Sequence, residues 1–144
     1  MSKPIRVLIT DDDPATADML KMLISQITSE IITASSGQEC IKLTQQYSPD
    51  IILLDLILPD MNGAEICEEI RKFSSVPILI LSALNNSSMI AATLNAGADN
   101  FLSKPVPAAM LTAHIQKLVK RFRLEQRSIC ASPTKPNDYV SSNA

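Results

Sequence analysis

Residues 50–63 read DIILLDLILPDMNG, and the order of residue types in this stretch decides the fold. Ile51, Ile52, Leu53 and Leu54 form a short, unbroken apolar run. Such a run suits a strand covered on both faces, the situation of a parallel sheet. Asp55 follows the run at once, and Pro59, Asp60 and Asn62 then form a turn before Gly63, where turn chemistry is reason enough for the last two. Residues 63–73 have helical spacing, with Ile66 and Ile70 inward and Glu65, Glu68, Glu69, Arg71 and Lys72 largely outward. The unit is a strand, a carboxylate at its end, a turn and an amphipathic helix.

The same unit recurs on either side. Apolar, branched runs at 5–10, 77–81 and, more weakly, 30–34 read as further strands, and 99–102 as a short fifth one. Helical spacing occupies 14–27, entered by Asp13 as N-cap and Pro14 at the first helical position, and also 37–47, 86–96 before Gly97, and 107–124. Strand and helix alternating five times predict a single doubly wound α/β domain with right-handed crossovers. The domain is expected to span residues 1–124, and the Ser-, Pro- and Asn-rich residues 125–144 to form a flexible C-terminal tail.

Composition narrows the function classes. The chain has 144 residues, 46% of them hydrophobic, enough for one real core but not for two ordinary domains. Five aromatics, two Tyr and three Phe, and a net charge of -2 argue against a stacking platform for nucleic acid or a basic binding surface. Cys40, Cys67 and Cys130 have no metal-ligand spacing and read as reduced thiols of a cytoplasmic protein. No apolar run is long enough for a membrane span, and no membrane partner is expected.

In an open parallel sheet the ligand site lies beyond the carboxyl ends of the strands. Asp11, Asp12 and Asp13 follow the first strand, Asp55 the third, Ser82 the fourth, and Lys104 with Pro105 the fifth. Converging carboxylates repel unless a cation is present, and hard oxygen donors suit Mg2+. A lysine and a hydroxyl beside them suit a phosphoryl group, whose transfer depends on positioning and charge neutralisation; a carboxylate such as Asp55 can be the nucleophile.

The ordered set Asp11-Asp12, Asp55 within DIILLDLILPDMNG, Ser82-Ala83 and Lys104-Pro105 resembles the receiver domain of two-component response regulators, over roughly residues 5–124. The resemblance implies a flavodoxin-like (βα)5 fold with strand order 2-1-3-4-5, and a signalling domain that catalyses only its own phosphorylation and dephosphorylation. It implies that Asp55 accepts a phosphoryl group from a histidine kinase or phosphotransfer protein. Asp12, Asp55 and the backbone carbonyl of Ile57 would hold Mg2+, with Asp11 acting through a water. Lys104 would pair with the aspartate and later with a phosphoryl oxygen, and Ser82 and the backbone amide of Ala83 would each meet another oxygen. The Lys104-Pro105 peptide would be cis, and Phe101 would be the switch aromatic. The downstream partner would be a protein docking on the fourth helix, fifth strand and fifth helix, with no direct nucleic-acid binding by this chain, either alone or as part of a longer regulator.

Other residues have plainer explanations. Asp13 is a cap, His114 a solvated helical histidine, and Met19, Met22, Met61, Met89 and Met110 core or rim filler. The fourth helix carries no charge before Asp99, so the charge-paired dimer of receivers joined to winged-helix domains is not expected. Ile57 and Leu84 are apolar where an attacking water would approach, which predicts slow loss of the phosphoryl group. The alternatives are a haloacid-dehalogenase-like phosphatase, which lacks a late acidic pair here, and a pseudo-receiver that works without phosphorylation.

Overall fold

The central strand is the most completely buried part of the chain: Ile51, Ile52, Leu53 and Leu54 are each at most 1% exposed. The structure, a computed structural model, describes residues 4–83 and 85–131, the side chains as far as 127. In chain order the elements are β1 (Ile5–Thr10), α1 (Pro14–Ile24), β2 (Thr28–Ala34), α2 (Gly37–Tyr47), β3 (Ile51–Leu54), α3 (Gly63–Arg71), β4 (Ile78–Ser82), α4 (Ser87–Asn95), β5 (Asn100–Ser103) and α5 (Ala108–Ala131). The strands form one sheet in the order β2-β1-β3-β4-β5, with every neighbouring pair parallel. This is the doubly wound α/β arrangement expected from the alternation of apolar runs and helical spacing, with the flavodoxin-like (βα)5 strand order that the family resemblance implies.

Alternate residues of each strand feed two separate apolar layers. Val7, Ile9, Ile51, Leu53, Leu79 and Leu81 pack with Leu20 and Ile24 of α1 and Leu111 and Ile115 of α5. Leu8, Ile52, Leu54, Ile78 and Ile80 pack with Cys40 of α2 and Ile66, Cys67 and Ile70 of α3. Burial pushes the Cys40 thiol up to about 11 and the Cys67 thiol up to about 12, so both stay protonated and behave as small apolar groups.

In its elements and their packing, the structure departs from the sequence reading in four places. Helix α1 stops at Ile24, and the Ile27 amide donates to the Ile24 carbonyl in a turn (3.1 Å), which lets β2 begin at Thr28. Helix α5 continues seven residues beyond Leu124 because Glu125, Gln126 and Arg127 are good helix formers and no Pro or Gly intervenes. The domain boundary at 124 therefore cuts through a helix, and the expected tail lies, from residue 132 on, outside the described residues. Of the methionines read as core or rim filler, Met19, Met22 and Met110 are 51%, 77% and 48% exposed and fill no core; on α1 the inward stripe is already occupied by Ala17, Leu20 and Ile24.

Arg71 is the fourth departure: placed outward by periodicity, it turns back along the end of α3. Its guanidinium donates to the Gly97 carbonyl (2.7 and 3.1 Å), to those of Val76 (2.7 Å) and Ser74 (3.2 Å), and pairs with Asp99 at 3.1 Å. Gly97 has φ +127°, a conformation in which a side chain is strained, and a Cβ there would come within 2.7 Å of Arg71. One side chain thus ties the end of α3 to the α4–β5 turn. Arg71→Ala is expected to lower unfolding free energy by about 2–3 kcal/mol, because three carbonyls lose a charged donor; urea denaturation measures this, and a change within about 0.5 kcal/mol would contradict it.

Candidate functional site

The polar residues at the carboxyl edge of the sheet are held by hydrogen bonds that continue the strand ladders. The Asp11 amide donates to the Ala34 carbonyl, the Asp55 amide to that of Thr10 and the Lys104 amide to that of Ser82, each at 3.0 Å. Each of these residues stands one position beyond a strand yet is fixed as firmly as the strand itself. The sequence places them there because the apolar runs end abruptly in charged residues.

Asp11 is the most buried of the acidic groups, at 6% exposure. One of its oxygens accepts from the Asp13 amide at 3.0 Å and the other from the Lys104 ammonium at 2.8 Å. Lys104 also pairs with Asp55, the aspartate named in the sequence reading, at 3.9 Å, though Asp11 at 2.8 Å is its nearer partner. Asp55 is half-buried, and burial pushes its carboxyl above the usual range; Lys104 opposes this, Asp11 adds to it, and hydrogen bonds from the Ile57 amide and the Ser82 hydroxyl oppose it. Asp12 is exposed beside them.

Asp11, Asp12 and Asp55 each bring a carboxylate oxygen to within 4.8 Å of the others. At an effective dielectric of about 20, like charges so placed repel by on the order of 3 kcal/mol per pair, and a single lysine offsets only part of this. Three hard oxygen donors, one buried, one partly buried and one open to solvent, fit a small divalent cation such as Mg2+.

Ser82, 3% exposed, ends β4 opposite Ser103, and Ala83 follows it at the surface. The Lys104-Pro105 peptide is cis. Phe101 lies opposite Ile80 and packs, partly buried, against the layer under α3 and α4. The Ile57 side chain is 51% exposed, and Leu84 lies outside the described residues. His114, expected to be solvated, is partly buried on α5 and takes no part in the cluster.

Asp13 caps α1, as expected: it accepts from the Ala15 amide (3.1 Å) and the Thr16 hydroxyl (2.8 Å), and these bonds hold its carboxyl below the usual range, Thr16 most strongly. Asn62 caps α3 in a reciprocal capping box with Glu65. Asp60 was assigned to the local turn, but its carboxylate reaches a different element, the first turn of α2. The one sequence signal for this was Gly37, a residue that permits close approach at that helix end.

The chain matches the family described as the response regulator receiver domain over residues 7–116. Among curated relatives, it is 37% identical over 116 residues to a probable transcriptional regulator ycf27 of Guillardia theta, covering 81% of this chain and 46% of that one. It is 34% identical over 119 residues to the transcriptional regulatory protein AfsQ1 of Streptomyces coelicolor, covering 83% and 53%. The chain spans about half the length of the curated relatives it matches. A solved response regulator receiver domain protein (CheY-like) from Methanospirillum hungatei superposes with TM-score 0.80 at 27% identity, over 85% of this chain and 99% of that one. A putative response regulator from Chloroflexus aurantiacus gives 0.76 at 30% identity, over 82% and 99%. With the strand order and the acidic edge already in place, these matches make the chain a member of the response regulator receiver domain family of two-component signalling systems.

Proposed function

We propose that Asp55 is the phosphoacceptor of this receiver. An Asp55 oxygen attacks the phosphorus of a phosphohistidine on a histidine kinase or phosphotransfer protein. The bond from phosphorus to the imidazole nitrogen breaks, its electron pair stays on that nitrogen, and an acyl phosphate forms. Asp12, Asp55 and the Ile57 carbonyl would hold Mg2+, with Asp11 acting through a water; the ion supplies neutralisation of the phosphoryl oxygens when bound. The observation that carries this reading is the convergence of Asp11, Asp12, Asp55 and Lys104 on one sheet edge.

The remaining residues supply contact and readout. Lys104, within 3.9 Å of Asp55, is close enough to move its charge from Asp11 toward a phosphoryl oxygen. Ser82 and the Ala83 amide would meet the other oxygens. Phosphorylation adds roughly -1.5 to -2 charge, which biases an existing equilibrium between two conformations. Ser82, Phe101 and the α4–β5–α5 face would carry that change to a protein partner. Because the relatives are named as transcriptional regulators, the controlled partner is proposed to be a DNA-binding module, on another protein or in a longer regulator that contains this chain. A haloacid-dehalogenase-like reading is disfavoured: it needs Asp13 for chemistry, and Asp13 is committed to capping α1.

Incubated with acetyl phosphate and Mg2+, the protein is expected to take up one phosphoryl group, seen by intact mass, and Asp55→Asn none; uptake by Asp55→Asn at another residue would contradict the assignment. The raised Asp55 carboxyl makes a second prediction. A carboxyl that binds its proton more tightly folded than unfolded costs stability once ionised, so the cost appears as pH rises through the carboxylate range and is complete at neutral pH. Asp55→Asn is therefore expected to raise Tm at pH 7 in EDTA, with the gain shrinking both toward pH 4 and on adding Mg2+ to the parent. A gain independent of pH would show that packing, not charge, is its source.

A further inference from the structure

We infer that Asp60 is a positioning residue for the metal site, holding the β3–α3 loop that carries the Ile57 carbonyl by clamping the loop tip to the first turn of α2; the inference rests on the Mg2+ reading above.

The first-turn amides of a helix have no partners within it. In α2 the Ser36 hydroxyl takes that of Glu39 at 3.1 Å. The other two, of Gly37 and Gln38, donate to the two oxygens of Asp60 at 2.8 and 3.0 Å, across 23 and 22 residues of chain. Charge-assisted bonds to a helix N-terminus are among the stronger contacts an exposed carboxylate can make. Beside them Met61 lies so close that a Cβ on Gly37 would fall 2.8 Å from its sulfur and 2.9 Å from its Cβ. Loop and helix are thus joined at Asp60 by hydrogen bonds and at Met61 by close packing.

The rest of the loop transmits this tie. Its base is closed by the Gly63 amide donating to the Leu56 carbonyl at 3.0 Å, and Ile57 pairs antiparallel with Asn62. Leu56 and Leu58 are buried while Ile57 between them is 51% exposed, so the Ile57 side chain does not itself fasten the backbone. Residues 56–63 form a narrow hairpin, anchored at its base by the core and at its tip by α2. The Ile57 carbonyl lies on this hairpin, three residues from the clamp. A cap that only stabilised α2 would leave metal binding by the folded protein unchanged. A positioning clamp would not, since outer partners of ligands commonly set metal affinity.

The test uses Asp60→Ala, Asp60→Asn and Gly37→Ala in the full chain, with MgCl2 titrated calorimetrically and folding checked by circular dichroism. Asp60→Ala is expected to weaken Mg2+ binding about tenfold. Gly37→Ala is expected to weaken it in the same direction while keeping every charge, and Asp60→Asn, which retains an acceptor oxygen, to lose less than Asp60→Ala. With acetyl phosphate, half-maximal phosphorylation should need correspondingly more Mg2+, while the rate at saturating Mg2+ matches the parent. If Asp60→Ala does not fold, the other two variants decide. Parent-like Mg2+ affinity, within twofold, in the folded variants would overturn the clamp and leave the phosphoacceptor reading intact. No Mg2+ binding by the parent would overturn both.

Discussion

The Lys104 ammonium, 2.8 Å from Asp11 and 3.9 Å from Asp55, faces three carboxylates that an apolar sheet delivers to one edge, and the rest of the structure serves that arrangement. Mutual repulsion would spread such groups apart if their backbones were free. Asp11 and Asp55 are not free, because each directly follows a buried strand and its amide continues the parallel ladder, and Asp12 is carried next to Asp11. The aliphatic layers on both sides of the sheet supply the stability that holds an unfavourable electrostatic cluster in place.

The two layers differ in what they do for the site. The layer under α1 and α5 is a conventional core, made by Val7, Ile9, Leu53 and Leu81 against Leu20, Ile24, Leu111 and Ile115. The other layer reaches α4 and β5: Phe101 and Ile90 pack at its margin, and Thr93 is the one α4 residue buried. Helix α4 is therefore lightly held on its own account, while Arg71 fixes the turn that follows it. A helix pinned at its far end and loosely packed along its length is suited to answer a charge change at Asp55.

Much of this was legible in the sequence because the signals were local. The runs Ile51–Leu54 and 77–81 suit strands buried on both faces, and residues placed just after strands share an edge in a parallel sheet. Asp11, Asp12, Asp55, Ser82 and Lys104 could thus be grouped without coordinates. What stayed hidden depends on long side chains and on distance in space. Periodicity put Arg71 outside because it locates the Cβ and not the guanidinium. Asp60 looked like a turn residue because its partners, Gly37 and Gln38, lie more than twenty residues earlier. The end of α5 was misplaced because serine and asparagine in composition do not by themselves stop a helix.

The central claim is that Asp55, served by Lys104 and Ser82, is where a phosphoryl group is received and sensed. Amide NMR spectra recorded before and after adding beryllofluoride with Mg2+ test it most directly. The account predicts shifts at Asp55, Ala83 and Lys104 that extend through Phe101 into α4, all abolished by Asp55→Asn. Spectra unchanged by beryllofluoride, or shifts that survive Asp55→Asn, would contradict it.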